Sequence, residues 1–339
     1  MVETKEKTSK WANFWNHFQL PKRKVNEDDP FFFNLYDWKT DGMIFLTTAL
    51  FIPFVFLFIF RFALGMSTDN PVIDNNYIQL IYLAITLISA VVGFMIFWNR
   101  DKELFLKSGS FILYCFILIP NVVSFVVVMI ASLAGMKSDS DVLPFLSIWT
   151  QIASEIIVII LAFVKTSGLK ERVKQTFKEN WLMLLITTVI TVAIFYALVA
   201  VAYGAIFKNT PLSLSEASNN QSSLEDGLSE SHSMTYRVFY AISLFVLTVL
   251  IAPITEELAS RNAWFAGVGN KTLGLFTTAL FFGMLHTQSG DVEHILNYVL
   301  AGFILSSVFL SARGNVTYNW LTHAGYNLVT IIVIFTQKF

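Results

Sequence analysis

The chain has 339 residues, of which 55% are hydrophobic and 14% charged, with a net charge of −1. Soluble domains carry about 25% charged residues, so an ordinary soluble protein is excluded, and the near-neutral balance speaks against a nucleic-acid-binding surface. The one cysteine, Cys115, excludes an internal disulfide and a thiolate metal cluster. The expected fold is all-α, a polytopic transmembrane helix bundle of about eight or nine spans, because a chain in lipid must satisfy its backbone internally.

Residues 1–42 read as a cytoplasmic or interfacial segment. Within it Trp11, Phe14, Trp15 and Phe18 follow the i, i+3, i+4, i+7 spacing of one helix face, and Lys22-Arg23-Lys24 comes next. That pattern suits a helix on an anionic inner leaflet, or a short cytoplasmic helix packed on the bundle. The first apolar run starts near Met43 and reads as a signal anchor.

Residues 43–207 form the N-terminal transmembrane part, with spans expected at 43–65, 77–98, 109–135, 143–165 and 180–207. Arg61 lies near a span end, where it can snorkel. Glu155 lies mid-span and reads as structural, protonated or hydrogen-bonded to a neighbouring helix. Pro53, Pro120 and Pro253 read as helix kinks. Residues 208–236 are rich in Ser, Asn and acids and read as a mobile polar outside loop.

Residues 237–339 hold four more expected spans, 237–266, 272–287, 292–312 and 316–336, the third last being the shortest. In this layout 18 Lys/Arg fall inside and 4 outside (Lys137, Lys208, Arg237 and Lys338), with Arg61 in the first span. The split points to nine spans with the N-terminus cytoplasmic. An eight-span version makes 272–287 a half-helix.

Ionisable side chains in hydrocarbon cost about 2.5–3.5 kcal/mol on insertion scales, so they mark function by default. The last third concentrates them: Glu256, Glu257 and Arg261 on one helix, Phe282 and His286 on the next, His323 and Asn327 on the last. Each set contains an i, i+4 pair sharing a helix face. From the inner ends, Glu256 lies roughly 16 Å deep, His286 roughly 20 Å and His323 roughly 14 Å at 1.5 Å per residue. A buried carboxylate near an imidazole is equipped to activate water, and an imidazole with a carboxamide can donate to an oxyanion. No serine, cysteine or lysine stands ready as a covalent nucleophile. Two His and one Glu (Glu256, His286, His323) could instead complete a catalytic zinc site, although the spacing is not that of His-Glu-x-x-His.

At these residues the chain resembles the CAAX protease and bacteriocin-processing family, also called the Abi family, which includes the type II CAAX prenyl endopeptidase. The family pattern is EExxxR, FxxxH, a Gly-containing helix and HxxxN. Here it reads Glu256-Glu257-Leu258-Ala259-Ser260-Arg261, then Phe282 to His286, Gly302, and His323 to Asn327. The resemblance covers about residues 237–335 and implies an intramembrane glutamate-type endopeptidase that needs no cofactor. It implies that Glu256 with His286 activates water and that His323 and Asn327 form the oxyanion site. Glu257 and Arg261 would orient the first helix, and Phe282 would pack beside the site. Ser260 and Asn262 depart from the aromatic and glycine frequent in the family, which bears on pocket shape.

The expected partners are membrane lipid and a peptide or membrane-protein substrate, in a bacterial plasma membrane. The alternatives are a catalytically silent scaffold or regulator of a membrane or cell-envelope enzyme, and a bacteriocin self-immunity protein. A transporter is a weaker reading, because the polar residues crowd one end.

Overall fold

The computed structural model describes residues 33–339 except 34, 138–139, 211 and 214–217, so the aromatic segment at 11–18 lies outside the described residues. Among the described residues the chain is helical, with no strand. Five helices carry the N-terminal half: α1 (Trp38–Leu64), α2 (Asn75–Lys107), α3 (Phe111–Leu133), α4 (Val142–Lys165) and α5 (Leu169–Glu179). Then come α6 (Trp181–Phe207), the short α7 (Asn219–Glu225) and the long α8 (Met234–Val268). The chain closes with α9 (Lys271–His286), α10 (Ile295–Ser311) and α11 (Val316–Lys338).

Seven helices are long and apolar enough to cross a membrane by length and composition: α1, α2, α3, α4, α6, α8 and the helix ending at Ser311. These coincide with seven of the nine expected spans. The other two exist as helices of a different kind. α9 has 16 residues, about 24 Å at 1.5 Å each, which is short of a full crossing. α11 has the length but carries Asn319, Thr322, His323 and Asn327, which lower its hydropathy. Lipid-facing character is plain on α6, where Leu182, Leu185, Val189, Ile190 and Val201 are exposed apolar residues.

The N-terminal half packs around α8. Phe45 of α1 meets Trp264 of α8 edge-on at 5.5 Å, and also Phe97 of α2 and Tyr114 of α3 at 6.0 and 5.7 Å. Aromatic pairs in this geometry add to the stabilisation that area burial alone provides. Two glycines allow the approach. A Cβ on Gly42 would stand 2.3 Å from the Val268 carbonyl oxygen, and one on Gly267 would stand 2.4 Å from the Phe45 ring.

α8 is not uniform. Val246–Ile251 and Leu258–Ala263 are π-helical, and the ordinary α-helical stretch Ala252–Glu257 lies between them, with Pro253 near its start. Proline removes an N–H from the ladder, and inserted π turns are frequent at functional sites. The expected kink at Pro253 thus takes the form of a widened turn just before it. The loop at 208–236 also holds more structure than its composition suggests. It carries α7, capped by the Ser218 hydroxyl, which accepts the Gln221 N–H.

Candidate active site

Glu256 and Glu257 are neighbours on a helix, so their side chains point about 100° apart and meet different surroundings. Glu257 is fully buried. Its carboxylate lies 3.3 Å from Nε of Arg261, one turn on, and 2.9 Å from Nδ1 of His323 on α11. The Arg261 guanidinium also donates to the Gly302 carbonyl at 3.2 Å and sits 4.8 Å over the Phe282 ring. Its other end donates to the Ser260 hydroxyl, which in turn donates to the Glu256 carbonyl at 2.5 Å. Ser260, a departure from the family pattern, is therefore tied into the same network. Asn262, the second departure, is fully buried against Gly109 of the α2–α3 turn, where its amide nitrogen would stand 2.7 Å from an added Cβ.

Glu256 faces the other way. Its Oε2 lies 3.9 Å from Nε2 of His286 and 3.8 Å from Nε2 of His323, and it has no hydrogen-bond partner among the described residues. The Glu256 and His286 side chains each keep 18% exposure, against 0% for Glu257 and Arg261. One carboxylate is thus committed to the scaffold and the other is left unbonded between two imidazoles.

Phe282 packs where these groups meet. Its ring is 4.6 Å from His286, 5.6 Å from His323 and under the Arg261 cation. α9 and α10 lie against one another through Gly302, where a Cβ would be 2.9 Å from both Ala279 Cα and Phe282 Cβ. That contact places the Gly302 carbonyl for Arg261.

Asn327 is placed differently from its expected companions. It sits one turn beyond His323 on α11, and its Nδ2 donates to the Thr248 carbonyl at 2.8 Å. Thr248 belongs to the first π-helical stretch of α8, two turns before Glu256. One N–H of the carboxamide is therefore engaged with backbone, and one remains.

Three further neighbours border these groups, of which only Glu155 stands out in the sequence. Tyr298 of α10 stacks on His286 with ring centres 4.6 Å apart. Thr248 anchors Asn327. Glu155 of α4, read as structural, is 2% exposed, accepts from Gln151 at 2.9 Å and lies beside Thr255, the residue before Glu256. Its other oxygen has no hydrogen-bond partner among the described residues. A polar residue in a span was the available signal for Glu155, and a tyrosine in an apolar helix for Tyr298.

The alternative zinc site can be tested on geometry. Tetrahedral zinc with bonds of about 2.0–2.1 Å sets its ligand atoms about 3.3 Å apart. Glu256 stands 3.8 and 3.9 Å from the two imidazole nitrogens, wider than that spacing. Among the described residues no trio of His, Cys, Asp or Glu is spaced to hold a metal ion.

Residues 238–329 match a family model described as type II CAAX prenyl endopeptidase Rce1-like. A Mycoplasma capricolum subsp. capricolum protein, described as an uncharacterized protein, is 34% identical over 326 residues, covering 93% of this chain and 93% of its own. Two Lactococcus lactis subsp. lactis proteins, UPF0177 protein YxdF and UPF0177 protein YbdI, are each 30% identical over shorter stretches. These cover 23% and 26% of this chain and 43% and 48% of theirs. No solved structure matches the chain.

Proposed function

The chain belongs to the CAAX protease and bacteriocin-processing family, and on that premise we propose that it is an intramembrane endopeptidase that hydrolyses a peptide bond with water activated by Glu256 and His286. The observation that carries this reading is the unbonded Glu256 oxygen between two imidazole nitrogens at 3.8 and 3.9 Å.

In this reading Glu256 takes a proton from water while the His286 ring holds the same water in line. The water oxygen bonds to the amide carbon, and the carbonyl electron pair moves onto oxygen. His323 enters this step as the imidazolium, its Nδ1–H given to Glu257 and its Nε2–H to that oxyanion; the free N–H of Asn327 is the second donor. Glu256 then delivers its proton to the amide nitrogen as the C–N bond breaks, leaving a carboxylic acid and an amine. No metal enters the proposal.

The substrate class is a peptide or membrane-associated protein reaching the site within the bilayer, and we place the protein in a bacterial plasma membrane with its N-terminus cytoplasmic. The Lys/Arg split supports that orientation. The test compares cells expressing wild type or Glu256→Gln, with protein termini mapped by mass spectrometry. New termini made by wild type and missing with the variant are expected, since general acid–base catalysis is worth about 10²–10⁴ in rate. Identical termini in both would reject proteolysis and favour the scaffold reading. A chelator that stops wild-type cleavage would reject the metal-free step.

A further inference from the structure

His286 is the last residue of α9, where the helix ladder ends and gives its side chain no further turn to pack on. Its ring rotates about a broad two-fold torsion, so neighbouring rings decide where Nε2 points. Phe282 meets it edge-on on one side, and Tyr298 stacks on it at 4.6 Å with planes 21° apart.

Tyr298 is itself held from outside the bundle. Its hydroxyl shares a hydrogen bond of 2.7 Å with the Ser218 hydroxyl, which also caps α7. The next residue fastens this segment at two more points. The Asn219 N–H donates to Asp291 at 2.9 Å, and its side-chain amide donates to the Ser67 hydroxyl at 2.6 Å. Ser289 donates to Asp291 at 2.7 Å, and Arg61 donates to the Met66 and Ser67 carbonyls and pairs with Glu293 at 3.0 Å. Three segments far apart in sequence thereby form one hydrogen-bonded layer, which touches His286 through Tyr298.

We propose that Tyr298 is a positioning residue that sets the direction of the His286 imidazole, and that Ser218 holds Tyr298 in place from the outer loop. The catalytic meaning of this rests on the reading of His286 as the partner of Glu256. On this proposal the outer loop is a working part of the site: whatever lifts Ser218 away loosens the imidazole that faces the reacting carboxylate.

The test uses the full chain in lipid nanodiscs and the histidine reagent diethyl pyrocarbonate, with labelling followed residue by residue by mass spectrometry. Tyr298→Leu removes the stack and is expected to raise the labelling rate of His286 about two- to tenfold, the population change one aromatic pair is worth, with His323 unchanged. Tyr298→Phe removes the Tyr298 hydroxyl and its outer hydrogen bonding, and Ser218→Ala removes the bond to Tyr298 together with the α7 cap; each is expected to give a rise smaller than that of Tyr298→Leu. A general packing role would raise both histidines together and lower the melting temperature, and that outcome overturns the proposal. So does an unchanged His286 rate in Tyr298→Leu, or a Ser218→Ala variant whose His286 rate stays at the wild-type value. Labelling needs no substrate, so failure of the proteolysis test leaves this result standing, and the reverse holds too.

Discussion

The Nδ1 atom of His323 lies 2.9 Å from Oε1 of Glu257, and this contact settles which nitrogen of the ring faces Glu256. A carboxylate accepts, so the hydrogen of that contact sits on Nδ1, and Nε2 is the ring nitrogen turned toward Glu256. The second oxygen of Glu257 pairs with Arg261, so one buried group orients both a ring and a guanidinium.

Glu257→Gln is therefore expected to damage structure and chemistry together. It leaves Arg261 buried with a neutral partner, and removing one member of a buried ion pair costs about 3–5 kcal/mol. A large drop in melting temperature in detergent checks this. Glu256→Gln, which removes an unbonded carboxylate, is expected to keep or raise the melting temperature. Equal thermal losses in the two variants would contradict the division of roles.

Asn327→Ala tests the carboxamide. Loss of its bond to the Thr248 carbonyl costs about 0.5–1.5 kcal/mol of stability. If the other N–H serves the oxyanion, kcat falls by about 10²–10³ with KM little changed. A variant that loses only stability would confine Asn327 to holding α11 on α8.

Gly302→Ala places a methyl where Ala279 and Phe282 already stand. Overpacking of this kind costs about 1–3 kcal/mol and would push α10 off α9, carrying the Gly302 carbonyl away from Arg261. Lower thermal stability with reduced hydrolysis is expected. A Gly302→Ala protein as stable as wild type would show that the two helices yield more than their spacing suggests.

Acid should loosen the outer layer at Glu225. Burial acts to raise this carboxyl, but hydrogen bonds from Gln221 and Lys338 and the Lys338 charge outweigh it, so the net shift is below the ordinary value. A lowered folded pKa stabilises above the unfolded value, near about pH 4.3, and the contribution is lost as pH falls through the folded one. Hydrogen exchange at residues 219–225 is expected to quicken in that acid range in wild type. In Lys338→Ala it should already be faster at neutral pH.

The parts of this molecule written in local sequence were legible before any coordinates. Runs of about 20 apolar residues mark spans whatever their neighbours, so α3, α4, α6 and α8 begin and end within about three residues of expectation, whereas α1 begins earlier, at Trp38, and α2 runs on through its polar end to Lys107. The paired spacings of Glu257 with Arg261 and Phe282 with His286 also survive folding, because one turn of helix preserves them. Contacts between helices leave no such trace. Nothing in the sequence sets Tyr298 against His286, Thr248 beneath Asn327 or Glu155 beside Thr255. The loop at 208–236 shows the same limit. Its polar composition resembles a free loop, yet its partners, Ser67 and Asp291, are supplied by distant stretches of chain.

The close seat of Gly42 on Val268 and of Phe45 on Gly267 bears on how such a protein can be re-engineered. The stretch that matches the family model, 238–329, holds the proposed site residues and the Phe281 and Phe309 side of the α8 packing, but not the α1 surface that α8 rests on at its far end. It is not a transplantable cassette. A chimera grafting this third onto foreign helices would have to import Gly42 and Phe45 as well, or the glutamate-bearing helix would arrive without its mould.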